Sequence, residues 1–212
     1  MYNNILLLNG SARIKGNSLN ICNSLSRIMR SKGVDVSIEN MHEYFNKKQI
    51  NNIRDKIENS QVIGIVAPVY VDSLPYTAID FLEKMENEFI DLLKGKKIFI
   101  IGQCNFPESR RVTPMILSCK CFAKATNMCF LGGMSYGGSV VRIEGRTLEE
   151  AGKEGERMLK ALDIAAEDII NGREISNEAK ELFKNDINLK FLKPFTIVAN
   201  IMFKLSKVKM KS

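Results

Sequence analysis

Apolar runs of strand length, each stopped by glycine, proline or asparagine and each followed by a helical pattern, recur along most of this 212-residue chain. Ile5-Leu6-Leu7-Leu8 stops at Asn9-Gly10-Ser11, Val62-Ile63-Gly64-Ile65-Val66-Ala67 at Pro68, Ile98-Phe99-Ile100-Ile101 at Gly102, and Met128-Cys129-Phe130-Leu131 at Gly132-Gly133. Unbroken apolar runs of this length belong to strands covered on both faces. Val34-Asp35-Val36-Ser37-Ile38 alternates apolar with polar, which suits a strand at the sheet edge. Between the runs, Leu19, Ile21, Cys22, Leu25, Ile28 and Met29 recur at the helical period of about 3.6 residues, as do Ile79, Leu82, Met85, Phe89 and Leu92. Residues 115–125 read as a further helix and Ile50, Ile53 and Ile57 as one face of a short one; Thr147-Leu148-Glu149-Glu150 reads as the opening of a helix reaching Gly172. Strand and helix thus alternate five times, the pattern of a parallel sheet with helices on both faces. Ligands of such sheets bind beyond the carboxyl ends of the strands, where the loops after the first, third, fourth and fifth strands would gather.

Residues 5–18 carry the densest chemistry. Where the first strand turns into the first helix, Asn9-Gly10-Ser11-Ala12-Arg13-Ile14-Lys15-Gly16-Asn17-Ser18 supplies two glycines, two hydroxyls, amides and two cations, with Asn17 or Ser18 placed to cap the helix. Helix-start amides beside cations can hold a phosphate. A Walker A loop fails here, because five residues separate Gly10 from Gly16 and Asn17 stands where its lysine would. A dinucleotide fingerprint fails on glycine spacing, and Glu39 lies only at the margin of the second strand. A receiver domain would need acids where this chain has Asn9 and Ala67. A terminal monophosphate remains, able to gain about 1.5–3 kcal/mol per charge-assisted hydrogen bond and up to about 2 kcal/mol from the helix dipole. The same residues also suit a plain turn and helix cap with Arg13 and Lys15 solvated.

Charge and cysteines narrow the class. Residues 187–212 hold six lysines and no acid, so a formal charge of +7 leaves +1 for residues 1–186. The basic balance describes a tail, and no interleaving of aromatic and basic residues suggests a nucleic-acid partner. Five cysteines, an odd count, fit reduced thiols in a cytoplasmic protein, and a single histidine, His42, argues against a metal centre. The N-terminal apolar run is too short for a signal peptide or a membrane span.

The stretch Gly10-Ser11-Ala12-Arg13-Ile14-Lys15-Gly16-Asn17-Ser18 resembles the Gly-Ser-Pro-Arg-x-x-Gly-Asn-Ser loop of the NAD(P)H-dependent FMN reductase family, with Ala12 in place of proline. Pro68-Val69-Tyr70-Val71-Asp72-Ser73-Leu74-Pro75 is similar to that family's second flavin loop. The resemblance covers about residues 3–172. It implies an α/β, flavodoxin-like, doubly wound five-stranded parallel sheet in the order 2-1-3-4-5. The FMN-binding domain would span residues 1–172, and a helical, basic C-terminal extension residues 173–212. By the same resemblance Ser11, Arg13, Asn17 and Ser18 bind the FMN phosphate, while Pro68, Val69, Tyr70, Val71, Asp72 and Ser73 border the ribityl chain and ring. Asn105, Gly133 and Tyr136 are further cofactor candidates, Tyr136 as a gate over the ring face. The implied reaction takes hydride from NADH or NADPH and passes electrons to a small acceptor, a quinone, nitroaromatic or flavin. It needs no catalytic side chain. The cysteines are too dispersed for an iron–sulfur cluster, and the implied assembly is a homodimer with the flavin near the interface.

Two other functions share this fold: a flavodoxin-like carrier exchanging single electrons with protein partners, and a binding or regulatory module. Such carriers are shorter and acidic around the flavin, whereas this body is long and nearly neutral, which favours the enzyme. In the tail, Phe195, Ile197, Val198, Ile201, Met202 and Leu205 suit an apolar helix face with lysines clustered at the end. That pattern is open to docking on the body, on a second subunit, or on a membrane as a peripheral contact.

Overall fold

The computed structural model of the chain describes residues 1–13, 15–45, 50–139, 143 and 146–186. Its strands are β1 (Asn4–Asn9), β2 (Asp35–Asn40), β3 (Val62–Pro68), β4 (Lys97–Gln103) and β5 (Cys129–Tyr136). The helices are α1 (Asn17–Ser31), α2 (Arg54–Asn59), α3 (Tyr76–Leu93), α4 (Thr113–Ala125), α5 (Gly152–Ile170) and α6 (Asn177–Phe183). The strands pair in parallel in the order β2-β1-β3-β4-β5. This is the flavodoxin-like arrangement. It follows from the apolar runs, since a strand buried on both faces needs helices above and below it.

Alternate strand residues feed two cores. Ile5 and Leu7, with Phe99 and Ile101, pack under α1 and α5, whereas Leu6 and Leu8, with Ile98 and Ile100, pack under α2, α3 and α4. The α1 stripe of Ile21, Cys22, Leu25 and Met29 is wholly buried, each large apolar side chain contributing about 1.5–3 kcal/mol. Parallel register brings the strand ends into line: Asn9 pairs with Asn40 and Val66, Pro68 with Gln103, and Gln103 with Tyr136. The loops after β1, β3, β4 and β5 therefore meet at one edge.

Several boundaries differ from the sequence reading. Neither Asn17 nor Ser18 caps α1; both lie inside it, behind Gly16, and no side chain caps the helix. Strand β2 includes Glu39, whose carboxylate is engaged by the Tyr44 hydroxyl and the Lys56 ammonium. Strand β5 runs through Gly132 and Gly133 to Tyr136 instead of ending at Leu131, with a register irregularity opposite Ile98 and Ile100. Helix α5 opens at Gly152, where φ is +58°, and not at Thr147, because that left-handed residue breaks the turn Glu149–Ala151 away from the helix axis. The segment read as one helix around Ile50, Ile53 and Ile57 is a 3-10 turn, Asn51–Ile53, leading into α2, and all three isoleucines are buried. Of the C-terminal extension, α6 packs Ala179 and Phe183 against the body. The basic, apolar tail expected over residues 187–212 lies outside the described residues.

Candidate functional site

At the end of β1 the turn is built by side chain and backbone together. The Asn9 carboxamide donates to Asn40 Oδ1 (2.9 Å) and accepts from the Ser11 amide (3.1 Å), while Ser11 Oγ accepts from the Arg13 amide (3.1 Å). Gly10 donates its amide to the Val66 carbonyl (2.9 Å), and a Cβ there would stand 2.9 Å from Ala67 Cβ. Only glycine lets the β1 loop approach β3 so closely. Gly16 then enters α1 with no side-chain cap and no acid in the first turn, so among the described residues the helix-start amides face no anion of their own turn. Ser11 and Ser18 are buried, Asn17 is half-buried, and Arg13 and Lys15 are exposed without an ion pair among the described residues.

The second loop is strained. Tyr70 and Ser73 exchange backbone hydrogen bonds of 2.9 and 3.1 Å, closing a turn whose central residues Val71 and Asp72 have φ of +50° and +59°. A β-branched residue in the left-handed region is rare and costs about 1–2 kcal/mol. Val71 is nevertheless 95% exposed at the tip. Arg111 ties this loop to the next, facing Asp72 at 3.6 Å and lying 5.3 Å from the Phe106 ring centroid. Val71→Asn should raise stability by about 1 kcal/mol, because asparagine tolerates this conformation. Urea unfolding of the two proteins checks it.

The third and fourth loops are laced together. Gly138 donates to the Phe106 carbonyl (2.7 Å), Ser139 to the Cys104 carbonyl (3.0 Å), and the Ser139 hydroxyl to Asn105 Oδ1 (2.9 Å). From the chain's far end, Asp186 accepts the Ser109 amide and hydroxyl, both at 2.7 Å, and the Asn185 carboxamide donates to the Gly137 carbonyl at 2.8 Å. Burial opposes ionisation of Asp186, but the Ser109 donors and Lys184 outweigh it and hold its carboxyl below the ordinary range. Stability from such a group is present above its unfolded pKa and fades as pH falls through the folded one. Asp186→Asn should therefore cost about 1 kcal/mol at pH 7, the partly exposed pair being discounted for solvent. The deficit should shrink below about pH 4 in urea titrations across pH.

The edge thus gathers Ser11, Arg13, Asn17 and Ser18 with Pro68, Val69, Tyr70, Val71, Asp72, Ser73 and Asn105. Two candidates fall elsewhere. Tyr136 is not a ring gate: it is fully buried, its ring 5.7 Å from that of Phe183 and its hydroxyl bonded to Glu154 at 2.7 Å. Gly133 sits within the β5 ladder opposite Ile100, where a Cβ would come within 2.9 Å of Ile100 and Ile116 side chains.

Two residues not singled out from the sequence belong to the edge. The Gln103 carboxamide nitrogen lies 3.4 Å from Ser18 Oγ while its oxygen is buried without a partner, and Thr77 Oγ1 at the start of α3 is likewise unsatisfied. Buried polar atoms normally find partners, so these are groups left for a ligand or water. A polar residue ending the apolar run of β4 is the signal that could have flagged Gln103. The buried thiols offer no nucleophile: burial pushes Cys22 far up and Cys119 up to about 12. Among the described residues no group of three or more His, Cys, Asp or Glu could hold a metal ion, and no helix is long and apolar enough to cross a membrane.

An acid-free, uncapped helix start beside two cations, a neighbouring loop with an exposed apolar tip and unsatisfied polar atoms fit a phosphate attached to a flat, largely apolar ring. The family model for NADPH-dependent FMN reductases matches residues 3–109, half of the chain, and the chain belongs to that family. It is therefore an FMN-dependent oxidoreductase. No curated protein matches it.

Solved structures share the fold. An NADH:FMN oxidoreductase superposes with a TM-score of 0.60 at 11% identity, covering 85% of this chain and 94% of that one. A flavone reductase gives 0.59 at 13% identity over 78% of this chain, which spans only 64% of the reductase's length. A Streptococcus pneumoniae flavodoxin gives 0.56 at 14% identity, covering 79% and 99%.

Proposed function

We propose that this oxidoreductase takes hydride from NADH or NADPH and passes two electrons to a small acceptor of the quinone, nitroaromatic or flavin class. The observation that carries the reading is the uncapped first turn of α1, which presents amides beside Arg13 and Lys15 with no acid in that turn. FMN, when bound, supplies the redox chemistry itself. The protein's part is to seat and orient it. Ser11, Arg13, Asn17 and the amide of Ser18 hold the phosphate, and the loop from Pro68 to Ser73 borders the ribityl chain and ring. Asn105 lies beside them, and Val71 at the tip keeps water from the ring edge. The working form is a homodimer in the cytoplasm, its assembly supported by the exposed Tyr70, Val71, Tyr76 and Phe106 around the loops. A sedimentation series in which the protein stays monomeric at all concentrations would remove that assembly.

The reaction is tested anaerobically. NADH or NADPH added to the FMN-loaded protein should bleach the flavin absorbance, and a quinone should restore it without any protein partner. A flavin that neither nucleotide bleaches would sink the reductase reading and leave a carrier.

A further inference from the structure

The last described residues leave the body at a fixed place. Asp186 is held by Ser109, and Asn185 exchanges hydrogen bonds with Gly137, accepting its amide at 3.1 Å and donating to its carbonyl at 2.8 Å. The 26 residues that follow therefore start beside the 3-10 turn Ser109–Val112 that leads into α4.

Between α4 and α3 runs a groove of about 350 Å³. Leu74, Ile79, Leu82 and Phe122 line it together with Glu83 and Glu86. Helix α3 carries five acids, Asp80, Glu83, Glu86, Glu88 and Asp91, against one lysine, and that lysine, Lys84, is paired to Asp80 at 2.7 Å. Lys120 and Lys124 of α4 do not line the groove. The groove is thus apolar along its walls and negative at its margin.

We propose that residues 187–212 of this same chain occupy the groove. Their chemistry is its complement: six lysines and no acid, with Phe195, Val198, Ile201, Met202 and Leu205 recurring three and four apart. Reach is ample. Crossing one helix takes about 10–12 Å and following α4 about 20 Å, whereas 26 residues span about 39 Å even at the helical rise and far more when extended. An anionic lipid surface would also attract such a segment, but it would leave the acidic margin of the groove without a counterpart. Ser73 and Leu74 of the second loop also line the groove, so the docked segment would lie against that loop. The assignment does not depend on which electron acceptor the site serves.

Cys121 lines the groove and is exposed, and Cys129 is the other exposed thiol among the described residues. In a Cys129→Ser background, maleimide labelling of the full chain reads Cys121 directly. Replacing Lys204, Lys207, Lys209 and Lys211 by glutamate should speed labelling at least tenfold, and high salt should speed that of the parent. Equal rates in both proteins would overturn the proposal. Adding Ile201→Cys should yield, on mild oxidation, a disulfide to Cys121 within one chain; a disulfide only between two chains would overturn the own-chain assignment in favour of exchange. Sedimentation of the parent with phosphatidylglycerol vesicles, together with unprotected Cys121 in vesicle-free buffer, would overturn it in favour of a membrane. The visible spectrum of bound flavin, recorded on each variant, keeps these outcomes separate from the flavin reading.

Discussion

Asn17→Asp should leave the protein folded and at least as stable as the parent, yet weaken FMN binding by about 30- to 1,000-fold. The two effects have opposite signs because one charge meets two partners. A carboxylate in the first turn of α1 interacts favourably with the helix dipole, by about 0.3–1 kcal/mol. The same carboxylate repels a phosphate seated on that turn, and unit charges about 4 Å apart near a protein surface interact by about 4 kcal/mol, so a loss of about 2–4 kcal/mol is expected. The amide and the carboxylate have nearly the same shape, so packing is not in question. Urea unfolding without flavin and fluorescence titration with FMN give the two numbers. A variant that binds FMN as tightly as the parent would place the phosphate elsewhere.

Gly155→Ala should destabilise the protein by about 3 kcal/mol or more, despite alanine's better helix propensity. Propensity alone favours the substitution by about 0.8–1 kcal/mol. Against it, a Cβ at residue 155 would stand 1.7 Å from the Leu148 carbonyl oxygen and 2.8 Å from its carbonyl carbon. These are backbone atoms, and they cannot swing aside as a side chain could. Relieving the clash means lifting the turn Glu149–Ala151 off α5 and with it the buried Leu148. The urea midpoint should fall with an unchanged slope. A midpoint at or above the parent's would mean that helix propensity outweighs the contact.

The fold was legible because the strands are buried on both faces and so appear as unbroken apolar runs, each closed by Gly, Pro or Asn. The loop from Gly10 to Ser18 stands out as a candidate phosphate site because its spacing resembles a known loop and departs from three other phosphate and acidic motifs. Other features were hidden for physical reasons. Gly132-Gly133 reads as a loop by composition, yet these residues belong to β5, where Gly133 pairs with Ile100 and a side chain would collide with Ile100 and Ile116. Gly152 lies within an amphipathic pattern, and only its backbone angle shows that α5 starts there. Tyr136 reads as a loop aromatic when the strand is taken to end at Leu131; its burial and its bond to Glu154 depend on the packing of α5, which leaves no local pattern. The Asn185 and Asp186 contacts with Gly137 and Ser109 span about half a hundred residues or more and leave no local pattern.

The central claim is that the open start of α1 recognises a terminal phosphate, and comparing FMN with riboflavin on the same protein tests it most directly. The two ligands share ring and ribityl chain and differ only in that group. Two charge-assisted hydrogen bonds of about 1.5 kcal/mol each amount to about a hundredfold. Fluorescence titration should therefore give a Kd for FMN at least about 100 times lower than for riboflavin, and Asn17→Asp should abolish most of that ratio. Equal affinity for the two ligands would contradict the account.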